Sequence, residues 1–190
     1  MFLVSTKMLV AEKGTTDFTV QEVVDRSKQS LRSFYQHFVG KNELLLALLE
    51  DAMAQVAAGI QEVTAAIDDP LERLRLAVDT LYEQSNPAPS VQRQLFTEFG
   101  LQLLVTHPAQ VSTASLPLLT VFTELIEHAA ADGAIPVGRP RRQAALVMQT
   151  VMFATQGNSH AQPLTAVEVW QFCLGGITGG TPRATDVTAE

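Results

Sequence analysis

The sequence predicts an all-α protein: a small helical head joined by a long helix to a larger helical body. Three observations predict it. Apolar residues recur at i, i+3, i+4 spacing in one segment after another, and no period-2 run is present. The segments are bounded by helix punctuation: Ser or Thr followed three residues later by Glu, Pro at a first position, Gly after the last. The charge also divides the chain. Residues 1–50 carry six basic and six acidic side chains, so the whole formal net charge of −7 falls on residues 51–190.

Each element follows from its own residues. Leu3, Val4, Met8, Leu9 and Ala11 mark a first helix over about 2–13, stopped by Gly14. Thr19 with Glu22 forms a capping box for a second helix running to about Arg26, with Val20, Val23 and Val24 as its apolar face. Ser27-Lys28-Gln29 is a turn. Ser30 caps a short third helix, Leu31–His37, whose inner side is Leu31, Phe34 and Phe38. After Val39-Gly40 a long helix begins near Lys41 and continues to about Ile67, burying Leu44, Leu45, Leu48, Met53, Val56 and Ile60.

Pro70 starts the next helix, which ends at Asn86-Pro87-Ala88-Pro89. Further helices are expected over Ser90 to about Val105, from Pro108 to about Ala131 with a break at Pro117, over Pro140 to about Gly157, and over Thr165–Leu174. Thr165 with Glu168 is a second capping box, and Gly175-Gly176 is the expected stop. The tail from 177 to 190 has almost nothing to bury and reads as disordered.

Composition excludes several classes. A chain of 190 residues that is 46% hydrophobic is not intrinsically disordered. One cysteine, Cys173, cannot form an intramolecular disulfide or a Cys-based zinc site. No run approaches the roughly 20 apolar residues of a membrane span. The expectation is a soluble cytoplasmic protein without cofactor, metal or membrane partner. The acidic balance argues against coating nucleic acid over the whole surface but permits a local basic strip. Such a strip exists: Arg26, Lys28, Arg32 and Lys41 with His37, and no acid between them.

Two short helices joined by a few polar residues, the second rich in basic and hydrogen-bonding side chains, fit a helix-turn-helix. The residues carrying it are Thr19-Val20-Gln21-Glu22-Val23-Val24-Asp25-Arg26, Ser30-Leu31-Arg32-Ser33-Phe34-Tyr35-Gln36-His37-Phe38 and Lys41-Asn42-Glu43-Leu44-Leu45. This segment, about residues 2–50, resembles the DNA-binding segment of TetR-family transcriptional regulators. The aromatic-Tyr-x-His-Phe run followed by Gly-Lys-x-Glu-Leu-Leu is its specific part. Pro163 to Trp170 looks like the closing helix of many actinobacterial-type members, a weaker match.

Arg32 and Ser33 stand at the N-terminal end of the third helix, where base edges are read; an arginine can bond guanine bidentately. The resemblance implies phosphate contacts for Thr19, Tyr35, His37 and Lys41. Lys41 also lies beside the unpaired amides that open the fourth helix. Lys28 and Ser30 complete the candidate DNA contacts. The chain departs from the family pattern at Ser27-Lys28-Gln29, where a small residue and a glycine are usual. A left-handed Lys28 would cost roughly 1 kcal/mol relative to glycine. The chain also begins almost at the first helix, where family members commonly carry a basic arm. The expectation is therefore weaker DNA binding, or a start lying upstream.

The resemblance implies domains at 1–50 for DNA, 51–176 for ligand binding and dimerisation, and 177–190 as tail. The apolar helices at about 140–157 and 165–174 suit an intersubunit four-helix bundle in a homodimer; burial within one subunit is the competing role. Candidate pocket residues are Phe96, Phe99, Leu103, Phe122, Met148, Gln149, Met152, Phe153 and Trp170, each of which could equally be plain core. Gln156, His107 and His128 could add polar groups. The expected function is a sequence-specific DNA-binding repressor released from its operator by a small apolar ligand. The alternative is a dimeric small-molecule-binding protein with weakened or lost DNA binding. An enzyme is not expected: His107, His128 and His160 form no local metal motif, and Cys173 sits beside Phe172 and Leu174 on an apolar helix.

Overall fold

Capping chemistry decides where the helices begin. In a computed structural model, which describes residues 1–85, 103, 105–156 and 164–179, every regular element is an α-helix. The order is α1 (Phe2–Lys13), α2 (Val20–Ser27), α3 (Leu31–His37), α4 (Lys41–Thr64), α5 (Pro70–Ser85), α6 (Pro108–Ala114), α7 (Leu116–Ala131), α8 (Pro140–Gln156) and α9 (Ala166–Thr178). Both capping boxes form. The Thr19 hydroxyl accepts from the Glu22 amide at 3.2 Å while Glu22 accepts from the Thr19 amide at 2.7 Å. Thr165 and Glu168 repeat the exchange at 3.3 and 2.8 Å. Asp69 caps α5 through the amides of Leu71 and Glu72. The expected break falls at Ser115, just before Pro117.

Helices α1–α3 form the head. Phe34 at 0% exposure is its centre, with the rings of Phe2 and Phe38 both 5.5 Å away. α4 belongs to both parts of the molecule. Its first turns close the head, and its remainder packs against α5, α6 and α7 in the body. α8 lies against α5, α7 and α9. One apolar cluster runs from Phe2 to Ile177 through all of these. No single helix among the described residues is long and apolar enough to cross a membrane.

Three expectations about elements are corrected. α4 stops at Thr64, not Ile67. α9 continues through Gly175 and Gly176 to Thr178 because Ile177 is buried against the body; packing outweighs glycine's poor helix propensity. The expected tail therefore begins inside a helix. Leu31 is 42% exposed and not core; Phe34, with Phe38 packed beside it, fills the space behind α3. Most of the helix expected over 90–105 lies outside the described residues, although Leu103, Val105 and Thr106 are helical.

Candidate nucleic-acid interface

The turn between α2 and α3 sets the orientation of everything after it. The Lys28 amide donates to the Asp25 carbonyl and the Gln29 amide to the Val24 carbonyl, a Schellman closure. Such a closure requires a left-handed residue, and Lys28 occupies it with φ 53° and ψ 36°. It is the only non-glycine with positive φ among the described residues. Ser30 then caps α3, its hydroxyl accepting from the Ser33 amide at 3.1 Å. The chain thus enters α3 from two fixed points.

α3 turns Phe34 inward, which forces its neighbours outward. Arg32, Tyr35, Gln36 and His37 are exposed, and Ser33 is half-buried. Tyr35 is 59% exposed with its ring edge-on to Phe34 at 5.4 Å, so its hydroxyl points away from the core. The His37 Nδ1 lies 2.8 Å from the Ser33 carbonyl and so carries the proton, leaving Nε2 outward. The Lys41 ammonium sits 4.7 Å over the Phe18 ring, which holds it at the first residue of α4. Gly40 precedes it without a side-chain cap, and the Glu43 carboxylate of the first turn reaches back to accept from the Val39 amide.

Salt bridges sort the cations of the head. Lys7 pairs with Asp51, Lys13 with Glu22 at 2.6 Å, and Arg26 grips Glu12 with both guanidinium nitrogens. These pairs fasten α1 to α4 and α2. The Lys13 hydrogen bond, followed by those from Thr19, draws the Glu22 carboxyl down to about 2. The Arg26 hydrogen bond lowers Glu12 in the same way. Lys28, Arg32 and Lys41 have no carboxylate partner among the described residues. The basic strip read from sequence thus loses Arg26, whose charge is neutralised within the head. The three cations left over stand at the turn, at the start of α3 and at the start of α4.

Two further points emerge only in the structure. Gln36 is exposed one turn after Arg32, and its amide can bond adenine bidentately; the i, i+4 spacing from Arg32 was the signal that would have found it. The exposed Leu31 offers an apolar group of the kind that meets a thymine methyl. Thr19, in contrast, has its hydroxyl proton directed to Glu22 at 3.0 Å, so a phosphate would have to compete with the capping box.

The pocket residues separate into two groups. Leu103, Phe122, Met148 and Trp170 are buried in the common core and Met152 is partly buried against it. Gln149 and Phe153 are exposed, as is His128 on α7. Helical register is the reason: Ala144, Val147, Met148 and Val151 fill one face of α8, so Leu146, Gln149 and Phe153 share the other. Phe96, Phe99 and the Gln156 side chain lie outside the described residues. Cys173 is buried, and burial pushes its thiol up to about 11, which leaves little thiolate near neutral pH.

A three-helix head whose α2 and α3 are joined by a fixed turn, with a helical body behind it, has the architecture of a helix-turn-helix protein. The comparisons with known proteins agree. Residues 2–48 match the family described as bacterial regulatory proteins, tetR family. The chain is 27% identical over 184 residues to the HTH-type transcriptional activator FasR of Mycolicibacterium smegmatis, covering 93% of this chain and 81% of FasR. The solved structure of RolR in complex with resorcinol superimposes with a TM-score of 0.73 at 18% identity, over 94% of this chain and 84% of RolR. FadR from Bacillus subtilis in complex with stearoyl-CoA gives a TM-score of 0.65 at 15% identity, over 93% and 97%. Residues 2–48 are thus matched as a TetR-family segment, and the solved neighbours share the helical fold of the chain as a whole.

Proposed function

We propose that this chain is a homodimeric repressor that reads its operator through α3 and is released by a small ligand bound in the helical body. The observation that carries the reading is the sorting of charge: Glu22, Glu12 and, from further along α4, Asp51 neutralise Lys13, Arg26 and Lys7, while Lys28, Arg32 and Lys41 have no carboxylate partner among the described residues. Arg32, Ser33 and Gln36 are the base-reading groups. Lys28, Ser30, Tyr35, His37 and Lys41 hold phosphates, and Thr19 serves first as a cap. The domain division is 1–50 for DNA and 51 to about 178 for ligand and partner.

A dimer is supported by an apolar face without a cover. Leu146 and Phe153 on α8 and Val167 and Phe172 on α9 are half to nearly three-quarters exposed, and the two helices are neighbours. A second copy would bury this face and place two recognition helices on successive major grooves. The ligand reading is supported by Leu103, Phe122, Met148, Met152 and Trp170, apolar and partly pliable, and by the resorcinol and stearoyl-CoA bound to RolR and FadR.

The test is fluorescence anisotropy on DNA from the gene's own promoter region, with nonspecific competitor and a salt series. Saturable binding that resists competitor and disappears in Arg32→Ala supports the regulator. A chain that binds no fragment of a genomic library overturns it in favour of a ligand-binding dimer without operator. Activation is the second reading, favoured by the similarity to FasR. A promoter fusion separates the two: deletion of the gene raises expression for a repressor and lowers it for an activator.

A further inference from the structure

The sequence places Leu31 in the core of the head, and the fold leaves it 42% exposed at the first position of α3. A single exposed leucine is ordinary on a protein surface. Its setting distinguishes this one. At about 100° per residue, α3 turns Phe34 to the core and carries two parallel rows on its outer side: Leu31 with Tyr35, and Arg32 with Gln36. Arg32, Tyr35 and Gln36 are exposed. No hydrogen bond or ion pair among the described residues engages the side chain of Arg32 or Gln36. The turn that holds Leu31 is closed twice. The Ser30 hydroxyl accepts from the Ser33 amide at 3.1 Å, and the Ser30 carbonyl accepts from the Phe34 amide at 3.0 Å. An apolar side chain is thus presented at a fixed place beside two side chains free to form forked hydrogen bonds.

The major groove offers a partner to each. Arginine spans guanine O6 and N7, glutamine spans adenine N6 and N7, and an apolar side chain meets the C5-methyl of thymine. That methyl is the one apolar substituent in the groove of unmodified DNA. The rise along an i, i+4 row is about 6 Å, close to two base-pair steps of about 3.4 Å. We propose that Leu31 is a specificity-determining residue: it packs on a thymine methyl of the base pair next to the guanine bonded by Arg32, with the adenine bonded by Gln36 about two base-pair steps from that guanine. The inference rests on the reading that α3 lies in the major groove of an operator. It adds which bases each half-site carries, and it makes an apolar contact part of the discrimination.

Selection by the full chain from a duplex library with a randomised core tests it. A thymine beside the selected guanine is expected, and Leu31→Ala should relax the preference at that position while keeping the guanine. The thymine is then replaced by deoxyuridine, which removes the methyl and alters neither the base pairing nor the protein. Loss of one buried methyl should weaken wild-type binding about fourfold per half-site. The same replacement should cost Leu31→Ala less than about twofold, because the two deletions remove one contact. Selected sites without a thymine beside the guanine, or a wild type indifferent to deoxyuridine, would overturn the inference and leave the operator reading standing. A deoxyuridine penalty of equal size in wild type and Leu31→Ala would assign the methyl to another side chain and overturn it too. A chain that enriches no sequence would overturn the operator reading, and this inference with it.

Discussion

Replacing Lys28 by glycine should make the protein more stable and a worse DNA binder. Lys28 sits at φ 53° and ψ 36°, where a side chain's Cβ is crowded and glycine's hydrogen is not. Relief of that strain is worth about 1–2 kcal/mol, and the greater freedom of glycine in the unfolded chain offsets part of it. A net gain of about 1 kcal/mol raises the melting temperature of a chain this size by about 2–4 °C. No ion pair among the described residues is lost, because Lys28 makes none there. Its charge, on the function proposed above, serves a phosphate of the operator. A dimer missing two phosphate contacts should show a salt slope shallower by about 2, so that wild type loses about tenfold more affinity than the variant between 50 and 200 mM salt. Thermal denaturation by circular dichroism and a salt series in anisotropy read the two effects separately. Lys28→Asn, which tolerates the left-handed region, should keep the shallower slope with less strain relief or none lost. A melting temperature that stays or falls in Lys28→Gly would refute the strain argument. An unchanged salt slope would refute the phosphate role.

Other outcomes follow from the same geometry. Arg32→Ala should weaken specific binding by about 1–3 kcal/mol while leaving the melting temperature unchanged, since the side chain is exposed; anisotropy against scrambled DNA checks it. The Glu22 carboxyl titrates near 2 in the folded chain against an ordinary 4.5, so its stabilisation is complete above pH 4.5 and lost as pH falls toward 2. Glu22→Gln should therefore melt lower than wild type at pH 7, with the gap closing over that window. Phe172→Glu or Phe153→Glu should weaken self-association by about two orders of magnitude, read as a mass change in light scattering. Buried Cys173 should react with a thiol reagent only slowly until the chain is unfolded.

What the sequence made legible was whatever its chemistry settles locally. Thr19 with Glu22, Ser30, and Thr165 with Glu168 are caps whose partners lie within three residues, and each stands where it was read. The left-handed position of Lys28 was raised by the family pattern, which usually carries a glycine in that turn, and not by any signal in the residue itself. What stayed hidden depends on residues far apart in the chain. The Arg26–Glu12 pair spans 14 positions, and without it Arg26 looks like one more DNA-facing cation. α8 is apolar on two faces, so nothing within it says that Met148 points inward and Phe153 outward. The glycine pair at 175–176 looked like a stop because propensity is local, whereas the burial of Ile177 is not.

The length of α4 has a mechanical consequence. Its 24 residues span about 36 Å, with Lys41 at one end and the packing against α5 and α7 toward the other. A rod of that length, pivoting in the body by only about 5°, sweeps its far tip through about 3 Å. A repacking too small to disturb any single buried side chain is thereby magnified into a displacement comparable to a hydrogen bond. The rod lets a rigid interior speak to a nucleic-acid surface without melting in between.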